Sequence, residues 1–193
     1  MTLRFACVVL LIGLAGAAWA EPKIDRAVVT VGKHNGRDWC TLDSQVSDTV
    51  PLSVSQLITV IQDYDAYPRL FPRLHEVNAR TVPGATLLSE TVVVEALGIR
   101  NVNRFTLRVT KAQDTPLVVS WTQESTDGSI DGLEGAWVLE ERGTVERPLT
   151  NVTYRTKMSV PVVVFGQDIF LRLFLGSETR TVVETVVKAA ASH

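Results

Sequence analysis

The sequence predicts an α+β fold in which an antiparallel sheet of about six to seven strands is covered on one face by a long C-terminal helix. Three observations predict it. From Leu74 to Val160 the chain alternates apolar and polar residues between turn-forming breaks, with no helical period to suggest parallel βαβ units. From Val164 to Ala191 there is no proline, and oppositely charged pairs stand four residues apart. Between the first and second core strands lies a short stretch with helical spacing and a helix-start signal.

The first twenty residues stand apart from this domain. Arg4 precedes an uncharged apolar run from Phe5 to Ala17, and Ala18-Trp19-Ala20 is the small-x-small pattern that signal peptidase accepts. The run is shorter than the roughly 20 residues that span a bilayer, so a secretory signal cleaved between Ala20 and Glu21 is expected. The mature protein is then periplasmic or secreted. Residues 21–37 form an N-terminal extension that includes a candidate extra strand, and residues 38–193 form the main domain.

Composition narrows the function. Without Arg4 the chain carries 18 basic against 21 acidic side chains, which offers no electrostatic case for nucleic acid as a partner. Cys40 is the one cysteine left after processing, so the domain is held by its core rather than by a disulfide. Its length of about 173 residues suffices for one sizeable core.

Arg26 to Val50 reads as two extended runs around a turn at His34-Asn35-Gly36, a hairpin signal. Ser53 with Gln56 makes a capping box, and Val54, Leu57, Ile58 and Ile61 fall on one helix face, so a helix is predicted over 54–62. Pro68 disfavours helix at the residue before it, and a second short helical turn should end near Phe71-Pro72. The later strands are expected at 75–82, 85–96, 103–110, 117–122, 133–140 and 151–160, with turns at Pro83-Gly84, Gly98, Asp114-Thr115-Pro116, Asp127-Gly128 and Arg142-Gly143. In the C-terminal helix Thr179, Val182, Val183, Val186, Val187 and Ala190 form one apolar stripe. Before Gly176 the segment is apolar nearly all round, so this glycine is read as a kink, with the first half more deeply enclosed.

Specific motifs sharpen this pattern. They are Val50-Pro51-Leu52-Ser53, the stretch Val60 to Pro72 with its Asp-Tyr-x-x-Tyr-Pro-x-x-x-Pro core, and Leu133-Glu134-Gly135-Ala136-Trp137-Val138-Leu139 before Gly143-Thr144. Over residues 38–191 the chain resembles the START-like (SRPBCC, helix-grip) superfamily, and within it the coenzyme Q-binding and polyketide cyclase-like group. The resemblance implies a sheet curved around the long helix, with a cavity between them for a lipid, quinone, sterol or polyketide. It implies no single activity, because this fold hosts carriers and enzymes alike.

On the inferred concave face lie Phe105, Leu107, Trp121, Trp137, Tyr154 and Met158, which suit either a pocket wall or a solid core. Phe165, Ile169, Phe170, Leu173 and Phe174 would face them from the helix, while Tyr64, Tyr67 and Phe71 would form a cavity lip. Arg100, Asn101 and Asn103 read as a solvated turn between strands, with contact to a ligand headgroup as the alternative. No catalytic motif is evident: there is no G-x-S-x-G elbow, and neither His34 nor His75 has a triad partner in sequence. Cys40 lacks a metal-spaced companion. Asp127, Ser129, Asp131 and Gly132 imitate a calcium loop, but Val138 stands where its bidentate Glu should be. No metal or other cofactor is therefore expected.

The leading expectation is an exported carrier for an apolar small molecule or lipid, with transient membrane contact during exchange. A cyclase, dehydratase or hydrolase using Tyr154, Glu95 or His75 as acid or base is the second. A protein-interaction module that exposes the tyrosine-rich loop and has no cavity is the third.

Overall fold

A computed structural model of the protein describes residues 22–34, 37–96, 99–112, 114–127, 130–162 and 167–192. The proposed signal segment, the Asn35-Gly36 turn and Gly98 lie outside the described residues. Eight antiparallel strands form one sheet: β1 (Lys23–His34), β2 (Arg37–Val50), β3 (Leu74–Val82), β4 (Ala85–Ala96), β5 (Ile99–Ala112), β6 (Leu117–Thr126), β7 (Asp131–Glu141) and β8 (Thr150–Pro161). Their spatial order is β1-β2-β8-β7-β6-β5-β4-β3. Between β2 and β3 come α1 (Val54–Gln62), a 3₁₀ turn (Tyr64–Ala66) and α2 (Tyr67–Leu70), and α3 (Gln167–Ala191) closes the chain.

The count is eight rather than six to seven because the N-terminal extension is itself a strand. β1 pairs with β2 from Lys23 opposite Ser47 to His34 opposite Arg37, and Val29 of β1 is buried. The segment Arg100 to Asn103 is likewise strand rather than turn, since β5 begins at Ile99 and pairs with β4 from its first residue. Asn103, opposite Val92, is buried.

Alternation explains the two faces of the sheet. Phe105, Leu107 and Val109 point inward and are buried, while Thr106, Arg108 and Thr110 point outward. The outer face is tied by cross-strand polar pairs such as Arg108 with Glu124 at 3.0 Å and Thr110 with Ser120 at 2.9 Å. Such pairs contribute little singly but keep that face wet, which fixes which side is covered.

α1 begins where its cap dictates. The Ser53 hydroxyl accepts from the Gln56 backbone N–H at 3.2 Å, and the Gln56 side chain accepts from the Ser53 N–H at 3.0 Å. At the other end Asp63 leaves helical geometry, and the Tyr67 hydroxyl donates to the Ile61 carbonyl at 2.6 Å. That bond pins the following turn under α1. Tyr67 is itself helical despite preceding Pro68, which sits in the first turn of α2.

α3 comes closest to β1, β2 and α1. It is docked by a buried hydroxyl relay in which Thr179 donates to the Leu175 carbonyl at 2.7 Å and Ser44 of β2 stands 2.8 Å from the same Thr179 oxygen. The helix is continuous through Gly176. The helix passes close to β1 there, and a Cβ at Gly176 would lie 2.9 Å from Cδ1, the flexible tip of Ile24. Two apolar clusters result. The main one joins the inner sheet face to α1 and to Val183, Val186, Val187 and Ala190 of α3, and a smaller one joins Leu175 to Val29, Cys40 and Leu42.

Candidate functional site

Where α3 stands away from β3 to β8, the interface encloses a cavity of about 640 Å³. The sheet supplies Leu88, Leu107, Val109, Val119, Trp121, Trp137, Tyr154 and Met158 to its wall. Ile61 and the lip residues Tyr64, Tyr67, Leu70 and Phe71 close one side, and α3 lines the other from Leu175 to Val186. A volume of this size suits one drug-sized organic molecule.

The aromatic wall is ordered by ring contacts. Tyr154 stacks on Trp121 with centroids 5.6 Å apart and packs against Trp137 at 4.5 Å. Trp121 can lie flat here because its cross-strand partner is Gly135, where any Cβ would collide with the indole and with the Arg155 carbonyl. At the lip, Tyr67 meets Tyr64 edge-on at 5.5 Å and Phe71 edge-on at 5.4 Å.

Of the residues expected on the concave face, Leu107, Trp121, Trp137, Tyr154 and Met158 line the cavity, as do Tyr64, Tyr67 and Phe71 of the lip. Phe105 does not: its ring is enclosed in the main apolar cluster. Ile169 is also corrected, being 61% exposed and away from the cavity. Phe165, and the side chains of Phe170, Leu173 and Phe174, lie outside the described residues. Among the described residues of α3, Leu175 and the residues from Glu178 to Val186 line the cavity. The smaller apolar cluster packs Leu171 and Leu175 over β1 and β2.

The acid–base candidates change as well. His75 is exposed and off the cavity, and the side chain of Glu95 lies outside the described residues. Among the described residues two carboxylates line the cavity, Glu178 of α3, which is paired with Arg73, and Glu90 of β4, which is absent from the sequence-based candidates. Its signal was present: Leu88, Glu90 and Val92 share one strand face, so a single acid interrupts an apolar row. Its cross-strand neighbours are Val77 and Phe105, both apolar. Among the described residues it has no hydrogen-bond or ion-pair partner, and burial pushes its carboxyl up to about 7.

The three tyrosines respond to the same surroundings. Burial, and secondarily the charge of Glu90, push the Tyr64 phenol up. Burial pushes Tyr67 and Tyr154 far above the ordinary phenol range, so all are neutral groups at physiological pH. Cys40 is fully buried beneath α3, and burial raises its thiol too, which suits packing rather than reactivity. Among the described residues no cluster of metal-ligating side chains occurs. The site can therefore enclose an apolar body, stack on a planar group and offer one carboxyl that is not engaged in an ion pair.

No family model and no curated protein matches the chain. Solved structures do. The Zhui aromatase/cyclase from a Streptomyces species superposes with a TM-score of 0.57 at 16% identity, covering 78% of this chain and 94% of that one. Human STARD10 gives 0.61 at 8% identity, covering 86% and 74% respectively. A STAR-related lipid transfer protein from Xanthomonas axonopodis gives 0.58 at 10% identity, covering 84% of this chain and 98% of its own. The fold is thus START-like, the helix-grip architecture expected from the sequence motifs.

Proposed function

We propose that the protein is an exported carrier that holds an apolar small molecule or lipid between the inner sheet face and α3. The observation that carries this reading is the cavity itself, about 640 Å³ and walled by aromatic and aliphatic side chains. Binding would draw on apolar area removed from water, at about 25 cal/mol per Å², with stacking on Trp121 and Tyr154 orienting a planar part. A neighbour of the same fold named as a STAR-related lipid transfer protein supports a holding role. Export rests on the N-terminal pattern, Arg4 through Ala20.

Native mass spectrometry of protein recovered from its own compartment tests both parts. A chain starting at Glu21 with a bound organic mass is the expected result. A full-length chain would overturn export. A ligand-free spectrum combined with no uptake from a panel of quinones and lipids would overturn the carrier role.

A second reading is an enzyme of the cyclase or dehydratase type in the same cavity. One observation favours it: a carboxyl, Glu90, stands on the cavity wall among apolar neighbours, where burial pushes it up to about 7. Turnover of an aromatic polyketide-like substrate that disappears in Glu90→Gln would establish it. The open cavity counts against a pure interaction module.

A further inference from the structure

Glu90 is an anomaly in a site built to hold apolar matter. Among the described residues the cavity wall contains one cation, Arg73, and it is engaged by Glu178 at the opening, where both side chains are half exposed. The titratable or charged groups that share the cavity with Glu90 are Tyr64 and Tyr67 from the lip segment, Tyr154 from β8, and the Arg73–Glu178 pair at the mouth of the cavity, contributed by the lip segment and α3. The residues directly opposite it on its flanking strands are Val77 and Phe105. An interior carboxyl without a partner costs free energy, and such groups persist where they receive something.

Three kinds of ligand group could meet it. An anion would be repelled whenever Glu90 is ionised. A cation would leave an ion pair in a water-excluded site, where desolvation of both charges offsets most of their attraction. A neutral hydrogen-bond acceptor needs no charge at all, provided that the carboxyl holds its proton. Filling the cavity removes the remaining water from Glu90 and so favours that protonated form further.

We infer that Glu90 is the specificity-determining group of this cavity, and that its protonated carboxyl donates a hydrogen bond to the carbonyl oxygen of an uncharged, otherwise apolar ligand. This deepens the carrier reading and rests on it. The ligand class is a neutral ketone or quinone-like carbonyl compound rather than a free fatty acid or an amine. Its flat part would stack against the Trp121–Tyr154 pair. Uptake carries a proton condition, since a ligand arriving above the carboxyl's midpoint must be accompanied by one proton.

The test compares two uncharged fluorescent probes on the intact protein: prodan, a naphthalene ketone, and diphenylhexatriene, a hydrocarbon with no acceptor. Prodan affinity should fall by up to about tenfold per pH unit above about pH 7, whereas diphenylhexatriene affinity should change far less. Glu90→Gln keeps a donor and cannot titrate, so its prodan affinity should be flat with pH and exceed that of the native protein by roughly tenfold or more near pH 8.5. Glu90→Leu should lose roughly tenfold for prodan below about pH 7 and nothing for diphenylhexatriene. Prodan binding that ignores pH and both substitutions, with diphenylhexatriene bound normally, would overturn the role of Glu90 and leave the carrier reading standing. Tighter displacement by dodecyltrimethylammonium as pH rises would overturn it in favour of a cationic ligand. If neither probe binds, the carrier reading falls and this inference falls with it.

Discussion

Arg73 and Glu178 face each other across the mouth of the cavity in a two-pronged pair, Nη1 to Oε2 at 2.7 Å and Nη2 to Oε1 at 3.1 Å. One belongs to the segment that follows the aromatic lip and the other to α3, so the pair ties the two walls through which a ligand must pass. The Arg73 carbonyl accepts from the Val93 N–H at 2.9 Å, which anchors that segment to β4. Because both side chains are half exposed, solvent screens the pair and its worth to stability is about 1 kcal/mol or less. Its effect on exchange should be more visible. Arg73→Ala is expected to leave the unfolding midpoint nearly unchanged and to speed release of bound diphenylhexatriene to acceptor vesicles by about threefold, with high salt producing the same acceleration in the native protein. Stopped-flow transfer that is indifferent to both changes would show that the pair does not restrain the opening.

Glu90 also imposes a pH dependence on stability. The ordinary value of its carboxyl is 4.5, and in the folded protein it lies at about 7. Between these values the native state keeps a proton that the unfolded chain has released, so stability must fall as pH rises. The contribution is fully present below the unfolded value and is lost above the folded one. At most it amounts to roughly 3 kcal/mol. Glu90→Gln removes the dependence, so it should stabilise the protein near pH 8 and leave it close to native near pH 4.5. Urea unfolding at these two pH values checks the sign, and an equal effect at both would mean that the carboxyl is not desolvated.

Gly135→Ala is expected to be among the more damaging small substitutions. The added methyl would meet the Trp121 indole on one side and the Arg155 carbonyl on the other, and the second of these is backbone in the sheet ladder. Overpacking of this kind typically costs 1–3 kcal/mol, roughly, and here the indole would also be pushed off Tyr154. Denaturant titration should show the loss. A tryptophan emission shift in the folded state should show that the cavity wall has moved.

Much of this architecture is visible in the sequence, and the parts that are not have a common cause. α1 is legible to the residue because the Ser53–Gln56 capping box and the Leu57–Ile61 period are local signals. The inner row Phe105, Leu107, Val109 is legible because alternation is local too. Whether Trp121 and Trp137 line a space or fill one is not local. It depends on how far α3 stands from β3 to β8, which is set by docking onto β1 and β2. An all-round apolar segment such as 165–175 announces enclosure without saying which strands it covers, and Leu175 both borders the cavity and packs over β1 and β2. Glu90 was legible by face assignment, but one acid in an apolar row acquires meaning only when the row is known to border a cavity.

The Ser44–Thr179 contact gives a direct measure of that docking. Thr179 has one hydroxyl proton and gives it to the Leu175 carbonyl at 2.7 Å, so Ser44 must be the donor in the 2.8 Å contact between the two side chains. Removing each partner should then have unequal effects. Ser44→Ala leaves Thr179 still bonded to its own helix and should cost about 1 kcal/mol. Thr179→Val strands a buried Ser44 hydroxyl and should cost more, about 2 kcal/mol, while the double variant should be milder than the sum. A double-mutant cycle read by denaturant unfolding checks this. Strict additivity would show that the two hydroxyls do not act together, and that apolar contact alone, through Leu175 over Val29 and Leu42, holds α3 on the strands that position the cavity.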